Sequence, residues 1–172
     1  EFLIDALAAY DLKDLTLCGH SMGGLIALDM VLNHNFAAKE LILVNSIYPT
    51  RVADALLAKA KVGNGGAANF IIKYGLYRRL LGMRNAFSEA DDLVMLDDLD
   101  ACNNYELDLN DIKNVEIPIS IILGSKDRLV DLKAVENFTD IVPSQTYMMD
   151  EVGHFSFFED PVELSRLIST IV

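Results

Sequence analysis

The chain has 172 residues, with 14 Lys+Arg against 26 Asp+Glu, a formal net charge of −12 and a hydrophobic fraction of 52%. That length fits one domain with its own core, and the charge has the wrong sign for neutralising nucleic-acid phosphates or binding anionic lipid. No apolar run approaches the roughly 20 residues that cross a bilayer, and the first residues lack the basic start of a signal peptide, so a cytoplasmic chain without membrane or nucleic-acid partners is expected.

From Phe2 to Tyr10 the apolar positions 3, 4, 7 and 10 form a helical stripe with no capping residue in front. Leu15-Thr16-Leu17-Cys18 reads as a short strand of the fully buried kind, followed by Gly19-His20-Ser21-Met22-Gly23-Gly24 and a helical pattern from Leu25 to His34. A second buried strand, Leu41 to Val44, ends at Asn45-Ser46. A third, Ile119 to Leu123, ends at Gly124-Ser125-Lys126-Asp127, and a fourth, Thr146 to Met149, leads to Asp150-Glu151-Val152-Gly153-His154. From Pro161 the run to Ile168 is an amphipathic helix with proline at its first position.

Apolar strands alternating with helices predict an α/β fold, with a mostly parallel sheet of about four strands covered on both faces. Between the second and third strands lie about seventy residues without a strand, too many for a simple crossover. They read as helices over Val52–Lys61, Ala67–Leu81 and Ser88–Leu99, an insertion over one end of the sheet. The predicted organisation is therefore a core at 1–47, a helical insertion at 48–115 and a second core part at 116–172. The acidic runs Glu89-Ala90-Asp91-Asp92 and Asp97-Asp98-Leu99-Asp100 read as a solvated helix face, a metal or partner site being the sharper alternative. Cys18 and Cys102 are too few and too far apart for a disulfide framework or a metal knuckle. Nucleotide-binding loops are absent from the sequence and no cofactor is expected.

Gly19-His20-Ser21-Met22-Gly23 fits Gly-x-Ser-x-Gly directly between a predicted strand and a predicted helix. A sharp turn there holds a serine in a strained backbone conformation, needs small neighbours, and presents the hydroxyl at the carboxyl end of the sheet beside a helix N-terminus. A serine hydroxyl needs a base, and the base an orienting carboxylate. Of His20, His34 and His154, only His154 lies in a loop past a strand end; His20 is expected to point away from the Ser21 oxygen, and His34 reads as a helix-terminus residue. Asp127 follows the third strand at the same sheet edge, with Asp131, Asp150 and Glu151 as its nearest rivals.

The Gly19–Gly24 turn, the Gly124–Asp127 turn and Gly153-His154-Phe155 with Glu159-Asp160-Pro161 together resemble the α/β-hydrolase superfamily, in its small capped esterase-like branch, over Phe2 to Val172. The resemblance implies Ser21 as nucleophile, His154 as general base and acid, Asp127 as the residue orienting His154, and the Met22 backbone N–H as one oxyanion donor. It makes the insertion a cap, with Tyr74, Tyr77, Arg78 and Arg79 as candidate pocket residues for a small-molecule ester or acyl substrate. It also implies that the segment is the carboxyl-terminal two-thirds of the family's fold, so that the first strand has an open edge for pairing with a preceding segment or another chain. The reading is a serine hydrolase cleaving a carboxylic ester or thioester through an acyl-enzyme. Similar sequences also carry out C–C bond hydrolysis, aminopeptidase, haloperoxidase and lyase chemistry, and a non-catalytic binding remnant is the reading from a different class.

Overall fold

In the computed structural model, residues 2–10, 12–78, 92–107, 112 and 115–172 are described. Arg79, the tail of the predicted Ala67–Leu81 helix and the Glu89–Asp91 part of the acidic run lie outside them. The strands are β1 (Thr16–His20), β2 (Glu40–Val44), β3 (Ile119–Gly124) and β4 (Gln145–Met149), all parallel and in the order β1-β2-β3-β4. Helices α1 (Phe2–Ala8) and α2 (Met22–Leu32) flank β1, and α3 (Asp54–Val62), α4 (Gly66–Gly75) and α5 (Asp92–Asn104) lie between β2 and β3. Helix α6 (Leu132–Ile141) crosses from β3 to β4, and α7 (Ser156–Glu159) and α8 (Pro161–Ile171) close the chain.

The two central strands are buried along their whole length because both faces are covered, and their two polar residues pair with each other, Ser120 Oγ donating to Glu40 Oε1 (3.1 Å). Leu41 and Leu43 of β2, with Ile119, Ile121 and Leu123 of β3, pack with Leu25 and Leu28 of α2 and with Val135 and Phe138 of α6. Ile42, Val44 and Ile122 point to the other face, against Leu164 and Leu167 of α8. A period of two thus divides each strand between two cores, as a parallel strand under two helical layers requires. A third cluster joins Leu56 and Ala60 of α3, Ala67, Phe70 and Ile71 of α4, and Met95, Leu96 and Leu99 of α5.

Three sequence expectations are corrected. The strand at Leu15–Cys18 is not fully buried: β1 is an edge strand among the described residues, only its Gly19 is buried, and Cys18 is exposed. The helix predicted from Ala67 runs from Gly66 and stops at Gly75 rather than continuing through Arg78: Leu76 turns to extended backbone (φ −88°, ψ 131°), and the Gly75 carbonyl accepts the His154 N–H from the neighbouring loop. Helix α6 was not foreseen, although Asp131 caps it by accepting the Lys133 N–H and Val135 and Phe138 form its buried stripe.

Candidate active site

Ser21 stands between β1 and α2 with φ 51° and ψ −123°, a left-handed conformation unusual for a residue with a side chain. Its N–H donates to the Val44 carbonyl at the end of β2 (3.0 Å), and its carbonyl accepts from Ser46 Oγ (2.7 Å) and the Gly24 N–H (2.9 Å). The glycines are needed by contact as well as by torsion. A Cβ on Gly19 would run into the Gly23 carbonyl, and one on Gly24 into the Ser46 side chain. The turn is therefore over-determined from both strands, which is how a strained conformation persists.

His154 lies in the loop between β4 and α7, 5% exposed, and its Nδ1 is 2.8 Å from Asp127 Oδ2. An ionised carboxylate only accepts, so Nδ1 carries the proton and Nε2 of the neutral ring is left as the base. Asp127 occupies the turn after β3 and is held by four donors. Its Oδ1 accepts the Leu129 (2.8 Å) and Val130 (3.2 Å) N–H groups, and its Oδ2 accepts Asn45 Nδ2 (3.0 Å) as well as His154 Nδ1. Burial opposes ionisation of Asp127, but His154, the Leu129 N–H and the Asn45 amide together outweigh it and hold the carboxyl below its ordinary range. Of the rivals, Asp131 caps α6, and Asp150 Oδ1 accepts Ser125 Oγ and the Glu151 N–H; Asp127 is the one that meets His154.

Ser21, Met22 and His154 line one cavity of about 590 Å³ in front of the sheet's carboxyl edge. Its wall takes Ile47, Val52 and Leu56 after β2, Phe70, Ile71 and Tyr74 from α4, and Arg128, Leu129 and Val130 from the turn after Asp127. Tyr74 thus lines the cavity. Tyr77 and Arg78 are not among its lining residues; instead their N–H groups donate to Glu159 Oε2 at 3.0 and 2.9 Å, and Arg79 lies outside the described residues. His34 sits beside Asp29, with Nε2 3.4 Å from Oδ2. Among the described residues no three His, Cys, Asp or Glu side chains gather as a metal site, and no helix is long and apolar enough to cross a membrane.

Three residues of the site escaped the sequence reading. His20 also lines the cavity; its Nε2–H donates to the His154 carbonyl (2.8 Å), and its ring meets Phe157 edge-on at 4.8 Å. Burial, only partly offset by that hydrogen bond, lowers its pKa to about 4. Asn45, fully buried and at φ 46°, donates to both Asp127 and the Gly153 carbonyl (3.2 Å). Glu159, 6% exposed, accepts the Gly153 N–H (3.0 Å) with Oε1. The available signal was positional, since Asn45 ends a strand at the same sheet edge as Ser21 and Asp127.

Comparison with known proteins gives one consistent result. The model of the family described as "Alpha/beta hydrolase family" matches residues 1–167. A pimeloyl-[acyl-carrier protein] methyl ester esterase of Aromatoleum aromaticum is 25% identical over 198 residues, covering 98% of this chain and 78% of the relative. The solved esterase EaEST from Exiguobacterium antarcticum superposes with a TM-score of 0.87 at 19% identity, covering 99% of this chain and 70% of that one. A thermophilic esterase superposes at 0.86 with 22% identity, covering 99% and 69%.

Proposed function

The chain belongs to the alpha/beta hydrolase family, and from that premise we propose that it is a serine hydrolase acting on a carboxylic ester or thioester, with Ser21 as nucleophile, His154 as general base and acid, and Asp127 as orienting carboxylate. The observation that carries this reading is the Asp127–His154 pair, closed at 2.8 Å, on the cavity that Ser21 lines. The esterase named among the relatives supports the ester linkage.

The chemistry follows from the atoms. Ser21 Oγ attacks the carbonyl carbon while its proton passes to His154 Nε2, and the imidazolium so formed is stabilised by Asp127, which stays ionised. The negative charge that develops on the carbonyl oxygen meets the N-terminus of α2, where the Met22 N–H is a donor. As the carbon–oxygen or carbon–sulfur bond breaks, His154 returns the proton to the leaving alcohol or thiol. Water then attacks the acyl-serine with His154 again as base, releasing the acid and restoring Ser21. Helices α3 to α5, within the 48–115 insertion, serve as the cap whose apolar side chains hold the substrate.

The test is covalent labelling with a fluorophosphonate probe, followed by turnover of short p-nitrophenyl esters. The expected result is one labelled serine, lost in Ser21→Ala together with at least about 10⁴-fold of kcat. Labelling that survives Ser21→Ala sinks the assignment.

A further inference from the structure

The cavity in front of Ser21 carries two guanidinium groups that the described residues leave without a counter-charge. Arg51 and Arg128 both line it and both are exposed, and neither forms an ion pair with a described carboxylate. This happens in a chain with 26 acidic residues and a net charge of −12, where acidic neighbours are plentiful. Asp131 lines the same cavity, but its Oδ1 is committed to the Lys133 N–H at the start of α6.

Arg128 is also held in place. It follows Asp127 in a turn fixed by the Asp127 hydrogen bonds, and its guanidinium carbon lies 5.7 Å from the Tyr74 ring centroid, with Phe70 backing that ring at 4.4 Å. A guanidinium over an aromatic face keeps its N–H fork available to an oxyanion and loses little side-chain freedom on binding. The rest of the cavity lining is mostly apolar, with Ile47, Val52, Leu56, Phe70, Ile71 and Leu129. A substrate that satisfies all three features has a hydrolysable ester at one end, an apolar chain in the middle and an anion at the other end.

We propose that Arg128 and Arg51 make this site selective for esters whose far end carries an oxyanion, a carboxylate or a phosphate group, an inference that rests on the hydrolase reading above. The guanidinium fork matches either anion, so the experiment separates them.

The full chain is assayed with three p-nitrophenyl esters of matched chain length, ending in a methyl, a carboxylate or a phosphate group. The expected kcat/KM for at least one anionic ester is about tenfold or more above that of the neutral ester, and the difference narrows as salt is added. Arg128→Gln and Arg51→Gln each bring that ratio toward one, mainly through KM. Arg166→Gln, which removes a cation paired with Glu163 on α8, leaves the ratio unchanged. The arm that is preferred identifies the anion. Equal or better turnover of the neutral ester overturns the proposal, while Ser21-dependent turnover of that ester leaves the hydrolase reading standing. If no ester is turned over in a Ser21-dependent way, the hydrolase reading falls, and equilibrium binding of the matching non-hydrolysable ketones to Ser21→Ala decides the subsite. Tighter binding of an anionic ketone, lost on adding Arg128→Gln, supports it; equal binding of all three overturns it.

Discussion

Asn45 shows how much of the candidate site depends on one residue outside the proposed nucleophile, base and acid. It is fully buried, adopts φ 46°, and leaves its Oδ1 buried without a partner, a desolvation cost that an apolar residue would not carry. In return its two N–H groups tie the Asp127 carboxylate to the Gly153 carbonyl, the residue before His154. Asn45→Ala removes both bonds at once, so the carboxyl of Asp127 moves up toward its ordinary range and the His154 loop loses an anchor. The expected outcome is a fall in kcat of about tenfold or more, since hydrogen bonds to charged groups contribute roughly 1.5–3 kcal/mol. Asn45→Asp sets a second carboxylate against the first, which raises the titration of the pair and shifts the acid limb of the kcat/KM profile upward. Wild-type profiles in both variants would show that Asn45 does not position the pair. Sequence reading reached Ser21, His154 and Asp127 because a turn motif and strand ends mark them. It passed over Asn45 because an asparagine after a strand looks the same whether it faces water or an ionised carboxylate.

At the scale of elements, Glu159 joins the segment after α4 to the His154 loop. Its buried carboxylate accepts the Gly153 N–H from the His154 loop and the Tyr77 and Arg78 N–H groups from the segment after α4, while the His154 N–H donates to the Gly75 carbonyl (2.6 Å). Three donors converge on two acceptor-only oxygens. Glu159→Gln replaces one of those oxygens with an NH₂ that faces a donor, and Glu159→Ala removes both. Thermal unfolding is expected to report a loss of about 1–3 kcal/mol for Gln and more for Ala, with the 75–78 segment becoming susceptible to limited proteolysis in both. Unchanged proteolysis would mean that Glu159 does not restrain the segment after α4. The elements themselves were largely legible. The central strands β2 and β3 were found because two-sided burial writes a continuous apolar run. β1 carries the same apolar letters but has one open edge, which periodicity does not record. Helix α6 is carried by a single cap, Asp131, and a short buried stripe at Ala134, Val135 and Phe138. Helix α4 was extended too far because nothing in the sequence announces that Leu76 turns to extended backbone.

For the whole molecule, burial of His20 and a net charge of −12 set opposing responses to acid. In the folded chain the His20 pKa is lowered to about 4, first by desolvation among the rings of Phe155 and Phe157, whereas in the unfolded chain it titrates near the ordinary histidine value of 6.5. Between those values the unfolded state binds more protons, so stability is complete above about pH 6.5, falls as the pH drops toward 4, and levels off below as far as His20 is concerned. Asp127 acts lower: its carboxyl is held below the ordinary aspartate value of 3.8, so its contribution is intact at pH 5 and is lost only as the pH falls below about 4. Relief of the self-repulsion from 26 acidic residues runs the other way, but it too waits for carboxylate protonation near pH 4. Between pH 6.5 and 5 the expected contribution of His20 is a loss of about 2 kcal/mol at pH 5. His20→Gln keeps an N–H for the His154 carbonyl and has nothing to titrate, so its melting temperature should stay nearly level across that window while the wild-type value falls by several degrees. Parallel declines in the two proteins would place the acid sensitivity elsewhere than in the half-buried, neutral His20 ring behind the His154 loop.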